Sequence, residues 1–104
     1  MKTTEVTVVR IYCTESQHKV KELLQVLHDR HRVAGVTAFR GIAGFGASGR
    51  IHSSSLIDVS LDLPVIVEFF DRPERVAAVM EELKHELKPG HMVSWSAHAN
   101  LDDD

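Results

Sequence analysis

The segment Leu63–Phe70 (LPVIVEFF) limits the folds open to this chain more than any other stretch. It is the most hydrophobic run in the sequence and reads as a central strand. Apolar residues fall on both alternating sides of that strand: Leu63, Val65, Val67 and Phe69 on one, Ile66 and Phe70 on the other. Such a strand must be covered on both faces. A chain of 104 residues supplies one domain, which hides roughly two-thirds of its surface on folding. The rest of the sequence therefore has to provide one covering layer, and something else the second.

The flanking segments supply helices and partner strands. Glu5 to Tyr12 (EVTVVRIY) is β-branched and aromatic and predicts a first strand. Thr14 to Gln17 has capping-box spacing, and Val20, Leu23, Leu24 and Leu27 then lie on one helical face, with Gly35 as the expected helix stop. Val36 to Ile42 predicts a second strand. After the central strand, Asp71-Arg-Pro-Glu74 is a second capping signature. Val76, Val79, Met80, Leu83 and Leu87 form the stripe of a second helix, which Pro89-Gly90 is expected to end. His91 to Ala97 predicts the last strand. The order is βαββαβ, an α+β ferredoxin-like sandwich in a single domain, residues 1–104. Two helices cover one side of its sheet. The apolar second side predicts self-association, because large exposed apolar patches are uncommon.

The connection from Gly44 to Asp62 (GFGASGRIHSSSLIDVSLD) is far longer than the two to five residues or so of an ordinary hairpin loop. Long loops in compact domains tend to be functional. Charge points to the same region. The chain has 12 Lys+Arg against 15 Asp+Glu, a net −3, yet Arg30, Arg32, Arg40 and Arg50 occupy a window from residue 30 to 57 without one acid. A local excess of this kind suits a small anionic ligand; a nucleic acid would want a broad basic face. Asp102, Asp103 and Asp104 close the chain, and the tail 99–104 is expected to be flexible. One cysteine, Cys13, cannot form an internal disulfide. With no signal-peptide or membrane-spanning pattern, it predicts a cytoplasmic protein.

Gly44-Phe-Gly46-Ala-Ser-Gly49 matches G-x-G-x-x-G, but it follows the second strand and opens no amphipathic helix, so the dinucleotide-binding reading fails. What remains is physical: glycines let backbone N–H groups approach an anion, and Arg40 and Arg50 flank them. His52, between Arg50 and three serines, adds to an anion site when protonated. His28 and His31 stand at i, i+3, but no third metal ligand is in sequence reach, and they read as solvent-facing. Cys13 reads as a buried structural thiol, and Ser53, Ser54 and Ser55 lack the strand–turn–helix setting of a nucleophile elbow. No catalytic residues and no metal site are expected.

The run Arg40-Gly-Ile-Ala-Gly-Phe-Gly-Ala-Ser-Gly-Arg-Ile-His-Ser-Ser-Ser, with Asp62-Leu-Pro-Val-Ile-Val-Glu-Phe, strongly resembles domain-of-unknown-function family 190, a group of PII-like bacterial and archaeal proteins. The resemblance spans essentially the whole chain. It implies a ferredoxin-like trimer akin to PII signal transducers, whose sheets line the centre and whose ligands, typically adenine nucleotides, bind in clefts between subunits. No tightly bound cofactor is implied. The long segment, residues 45–61, corresponds to the T-loop, which contacts the regulated partner, often a membrane transporter; a CrcB-type fluoride channel is one candidate partner. The loop base maps onto Arg40, Gly41, Gly44 and Gly46. With Gly49, Arg50, His52, Lys88 and Gly90 these form the expected ligand site. Two departures stand out. The glycine-rich turn before the last strand is reduced to Lys88-Pro89-Gly90, and three aspartates replace the basic C-terminal residues of PII. Two alternatives stay open: a ligand-independent trimeric adaptor of a channel, and a metal-binding protein like the trimeric CutA group, which shares this fold.

Overall fold

A computed structural model describes residues 1–15, 19–46, 51–53 and 63–101. Strand β1 (Thr4–Thr14) leads to helix α1 (Lys19–Gln25), which widens into a π-helical turn, Val26–Arg30. Strands β2 (Gly35–Arg40), β3 (Ala43–Phe45), β4 (Ile51–Ser53) and β5 (Pro64–Asp71) follow, then α2 (Pro73–Leu83) and β6 (Met92–Ala99). Four strands form an antiparallel sheet in the order β2-β5-β1-β6, and β3 pairs with β4 in a separate two-stranded ladder. The α+β ferredoxin-like arrangement expected from the element order is present, with the β3–β4 ladder inserted in it.

The register explains the double-faced apolar strand. β5 lies inside the sheet, paired on one edge with β1 (Cys13 opposite Val65, Val9 opposite Phe69) and on the other with β2 (Arg40 opposite Val65, Val36 opposite Phe69). Val65, Val67 and Phe69 point into the core, against Val9 and Ile11 of β1, Leu23 and Leu27 of the first helix, and Val76, Val79 and Leu83 of α2. The opposite face carries Tyr12, Phe39, Val93 and Trp95, all exposed in the single chain. At its centre Arg10 Nε donates to Glu68 Oε1 at 2.8 Å, and its guanidinium lies 5.5 Å from the ring centres of both Phe39 and Trp95. These contacts fall in the range of cation–π attraction. One side chain of β1 thereby links all four strands of the open face.

Several expected boundaries move, each for a local reason. The first helix is not stopped by Gly35, which begins β2; the reversal is made at Arg32, with φ +48°. Gly35 serves packing instead, since a Cβ there would collide with the Phe70 ring. Pro89-Gly90 does not end the second helix, which stops at Leu83; Glu86 N–H bonds Leu83 O in a tighter turn, and Leu87 still packs on the core. Asp71 does not cap α2: Arg72, in an extended conformation, holds the cap position, with Pro73 starting the helix. The Thr14–Gln17 capping box falls partly on residues 16–18, outside the described residues, and Thr14 itself belongs to β1. Phe45 and Ile51–Ser53, assigned to the long loop, are strand residues, and Ala99, assigned to the tail, pairs with Thr4.

Asp71 is the buried charged side chain among the described residues, at 1% exposure. Its Oδ2 accepts Ala34 N–H at 3.0 Å, its Oδ1 accepts Arg72 N–H at 2.7 Å, and Arg75 Nη1 lies 3.2 Å away. Arg75 also donates to the carbonyls of His31 and Arg32, so α2 holds the reversal in its left-handed form. Glu82 completes the tie, at 3.1 Å from both His31 Nε2 and Arg30 Nη1. Asp71→Ala removes the acceptor of two N–H groups, and urea denaturation is expected to read a loss of about 2 to 4 kcal/mol. The hydrogen bond from His31 holds the Glu82 carboxyl below the usual carboxylate range, with Arg30 adding to it. Its contribution is therefore present above the unfolded value, near ~4.3, and is lost as pH falls through the lower folded value. Glu82→Gln should shrink the stability lost in acid, read as the difference between urea midpoints measured well above and well below that window.

Candidate functional site

The expected site residues divide between the two edges of one sheet end. β2 finishes at Arg40 beside the start of β5, and β1 finishes at Thr14 opposite Pro64. β6 enters from the same end: His91 O accepts Tyr12 N–H at 2.8 Å, and the turn before it is closed by His91 N–H to Lys88 O at 3.1 Å, with Gly90 at φ +85°. Arg40 and Gly41 thus flank one edge and Lys88–Gly90 the other. Two strands lie between, a span of roughly 14 Å at ordinary strand spacing. A phosphate-sized ion cannot touch both sides within one chain; an extended ligand, or a second copy of the chain, can.

The β2 side has the more detailed geometry. Gly41 N–H donates to Pro64 O at 2.7 Å, and a Cβ at Gly41 would approach Pro64 Cγ to 2.9 Å, so this glycine is demanded by close packing. Gly44 and Gly46 meet no such restriction: the nearest atom to a Cβ at Gly44 is 3.5 Å away, and at Gly46 there is none within 4 Å. Gly44 pairs with His52 in the two-stranded β3–β4 ladder. Gly49 and Arg50 lie outside the described residues. Ile42, just before β3, and Phe45, its last residue, are 80% and 75% exposed.

A cleft of about 600 Å³ opens on the helix side of this edge, lined by Glu15, Val20, Lys21, Ala38, Phe39, Arg40 and Val65. Arg40 forms an ion pair there with Glu15. Glu15 is anchored by its own N–H to Leu63 O at 3.1 Å. Sequence reasoning singled out Arg40 but neither Glu15 nor Lys21. Glu15 follows the first strand and Lys21 sits on the polar side of the first helix; no sequence periodicity relates either of them to the end of β2.

The other chemical candidates are placed as structural groups. His28 Nδ1 hydrogen-bonds Asp29 Oδ1 at 2.7 Å, and His31 pairs with Glu82. Among the described residues no group of three His, Cys, Asp or Glu side chains is placed to hold a metal ion, and no helix is long and apolar enough to cross a membrane. Cys13 is buried, with Sγ 3.6 Å from Val65 O, and burial pushes its thiol pKa up against a smaller downward pull from Lys19. A thiol in this state is a poor nucleophile. A colorimetric thiol reagent at neutral pH is expected to leave Cys13 largely unmodified in the native protein and to modify it fully in urea.

Comparison with known proteins adds an independent line. Residues 6–99 match the family model described as DUF190, uncharacterized ACR. A UPF0166 protein of Aquifex aeolicus (strain VF5) is 31% identical over 88 residues, covering 81% of this chain and 84% of the relative. A second UPF0166 protein, from Methanocaldococcus jannaschii, is 28% identical over 79 residues, 76% of this chain and 71% of its own length. Among solved structures, CPII from Thiomonas intermedia K12, bound to ADP and bicarbonate, superposes with a TM-score of 0.70 at 20% identity, covering 96% of this chain and 93% of that one. A putative PII-like signaling protein from Thermus thermophilus gives 0.63 at 17% identity, covering 95% and 91%.

Proposed function

This chain belongs to the DUF190 family, and on that premise we propose that it is a PII-like regulatory protein, a homotrimer that binds an adenine nucleotide or similar small anion in clefts between subunits. The carrying observation is that Arg40–Gly41 and Lys88–Gly90, distant in sequence, come to one end of one sheet. The likeness in fold to CPII, solved with ADP and bicarbonate and with ADP, AMP and bicarbonate, supports the ligand class.

In this reading Arg40, Arg50 and Lys88 meet phosphate as charge-assisted donors. Gly44, Gly46, Gly49 and Gly90 admit backbone N–H groups, Gly41, whose own N–H is held by Pro64 O, packs the base of the site, and His52 adds charge when protonated. The apolar sheet face around Arg10 and Trp95 is covered by the other two copies, which gives the doubly apolar strand its second layer. Residues 1–104 act as one domain. The segment 45–61, with Ile42 and Phe45 at its base, docks on a partner of the membrane transporter or channel class, and ligand binding changes the order of that segment. The tail that follows Ala99 takes no part in the site. The protein acts in the cytoplasm by binding, without catalysis and without a resident cofactor.

Light scattering after gel filtration should give the mass of three chains, and titration calorimetry with ADP, AMP, ATP, cyclic nucleotides and bicarbonate should find at least one ligand. Arg50→Ala should weaken that ligand by roughly tenfold, the loss of one charge-assisted hydrogen bond. A monomer, or a trimer that binds nothing in the panel, overturns the proposal. Partner capture that does not change with nucleotide favours instead a ligand-independent adaptor, a role the exposed Ile42 and Phe45 would also suit.

A further inference from the structure

We propose that Glu15 is a built-in competitor for the anion site: its carboxylate occupies Arg40, and an anionic ligand binds by displacing it. The inference rests on the reading of Arg40 as a ligand contact. It goes beyond that reading by giving the site a resident counter-ion.

Both partners sit on a rigid frame. Arg40 is the last residue of β2, opposite Val65 of β5, and Gly41 N–H is fixed to Pro64 O at 2.7 Å. Glu15 follows β1 directly, and its N–H is fixed to Leu63 O at 3.1 Å. The two main chains are therefore tied to the start of the same strand from opposite sides, and their side chains meet in the cleft that both line. Arg40 is 67% exposed and Glu15 32%, so the pair is open to solvent and the carboxylate can swing away without moving either strand. A surface ion pair of this type contributes little to stability, of order 0.2 to 1 kcal/mol. That makes it easy to exchange.

The cleft also fits what would replace the carboxylate. Lys21 and Arg40 supply two cations, while Val20, Ala38 and Val65 make apolar walls. With Glu15 engaged, one of the two cations is already neutralised. A singly charged anion offers Arg40 little more than Glu15 does. A group carrying more than one negative charge, as a diphosphate does, engages Arg40 and Lys21 together and outcompetes the carboxylate. The two cations thus favour multiply charged phosphate ligands, and the pair with Glu15 sets a cost that any anion reaching Arg40 has to overcome.

The test is titration calorimetry of the intact trimer with ADP and with bicarbonate, comparing wild type, Glu15→Gln, Glu15→Asp and Arg40→Ala, with thermal melting to confirm that each variant folds. Glu15→Gln should tighten ADP by on the order of threefold, the ion-pair energy expressed as affinity. It should tighten bicarbonate by no more than that, because removing one negative charge relieves a multiply charged ligand at least as much as a singly charged one. Glu15→Asp, which keeps the charge, should stay close to wild type, and Arg40→Ala should weaken ADP whichever residue stands at 15. If wild type binds ADP and Glu15→Gln binds it no better, the competitor role is overturned while the nucleotide-binding reading stands. If Glu15→Gln binds ADP and wild type does not, the competitor role is supported in its strongest form. If no variant binds either ligand, the nucleotide-binding reading falls and the competitor role falls with it.

Discussion

The pairing of β5 with β1 on one edge and β2 on the other is the constraint from which the rest of this structure follows. It buries Val65, Val67 and Phe69 against both helices, and it forces the termini of three strands to meet at each end of β5. At the Asp71 end the meeting is used for cohesion. At the Pro64 end it brings Glu15 to Arg40 and Gly41, which lie far from it along the chain.

The two ends differ because their polar groups are treated differently. Asp71 is enclosed, and each of its oxygens is committed to a backbone N–H or to Arg75. A buried carboxylate in that setting tolerates no change, since loss of a partner leaves its own charge or a backbone donor unmet. Arg40 and Glu15 at the other end reach solvent, where an ion pair forms and breaks at small cost. One end of β5 is a clamp and the other an exchangeable contact. This is the arrangement a ligand-responsive protein needs: a fixed scaffold carrying a labile charge.

The apolar pattern of the elements made much of the fold legible beforehand. The alternation in Leu63–Phe70 and the stripes Val20–Leu27 and Val76–Leu87 led to the right layers and to the right strand order class. The punctuation residues were less informative. Gly35 resembled a helix stop but is small because the Phe70 ring lies over it, and Pro89-Gly90 resembled a helix end but shapes the entry to β6. A glycine required by φ and a glycine required by close packing look identical in sequence. The β3–β4 ladder was hidden for a similar reason: three-residue strands within a glycine- and serine-rich stretch carry too little periodicity to be distinguished from loop. Arg40 and the glycines were legible as candidates because they cluster along the chain, and of them Arg40 lines the cleft. Glu15 and Lys21 were not, because they reach the same cleft only through the folding of β1 and α1.

By itself the sequence determined that this is a two-layer α+β domain with a sheet face left over and with four arginines in one acid-free window. Those properties depend on local alternation and composition, and a linear reading captures them. Only the tertiary structure decided that Arg10 spans the open face between Phe39 and Trp95, that Asp71 locks the α2 side, and that Arg40 is met by Glu15. Each of these is a contact between residues brought together by strand register. Register is set by the whole sheet at once, because a shift of one residue would turn every side chain of β5 to the other face.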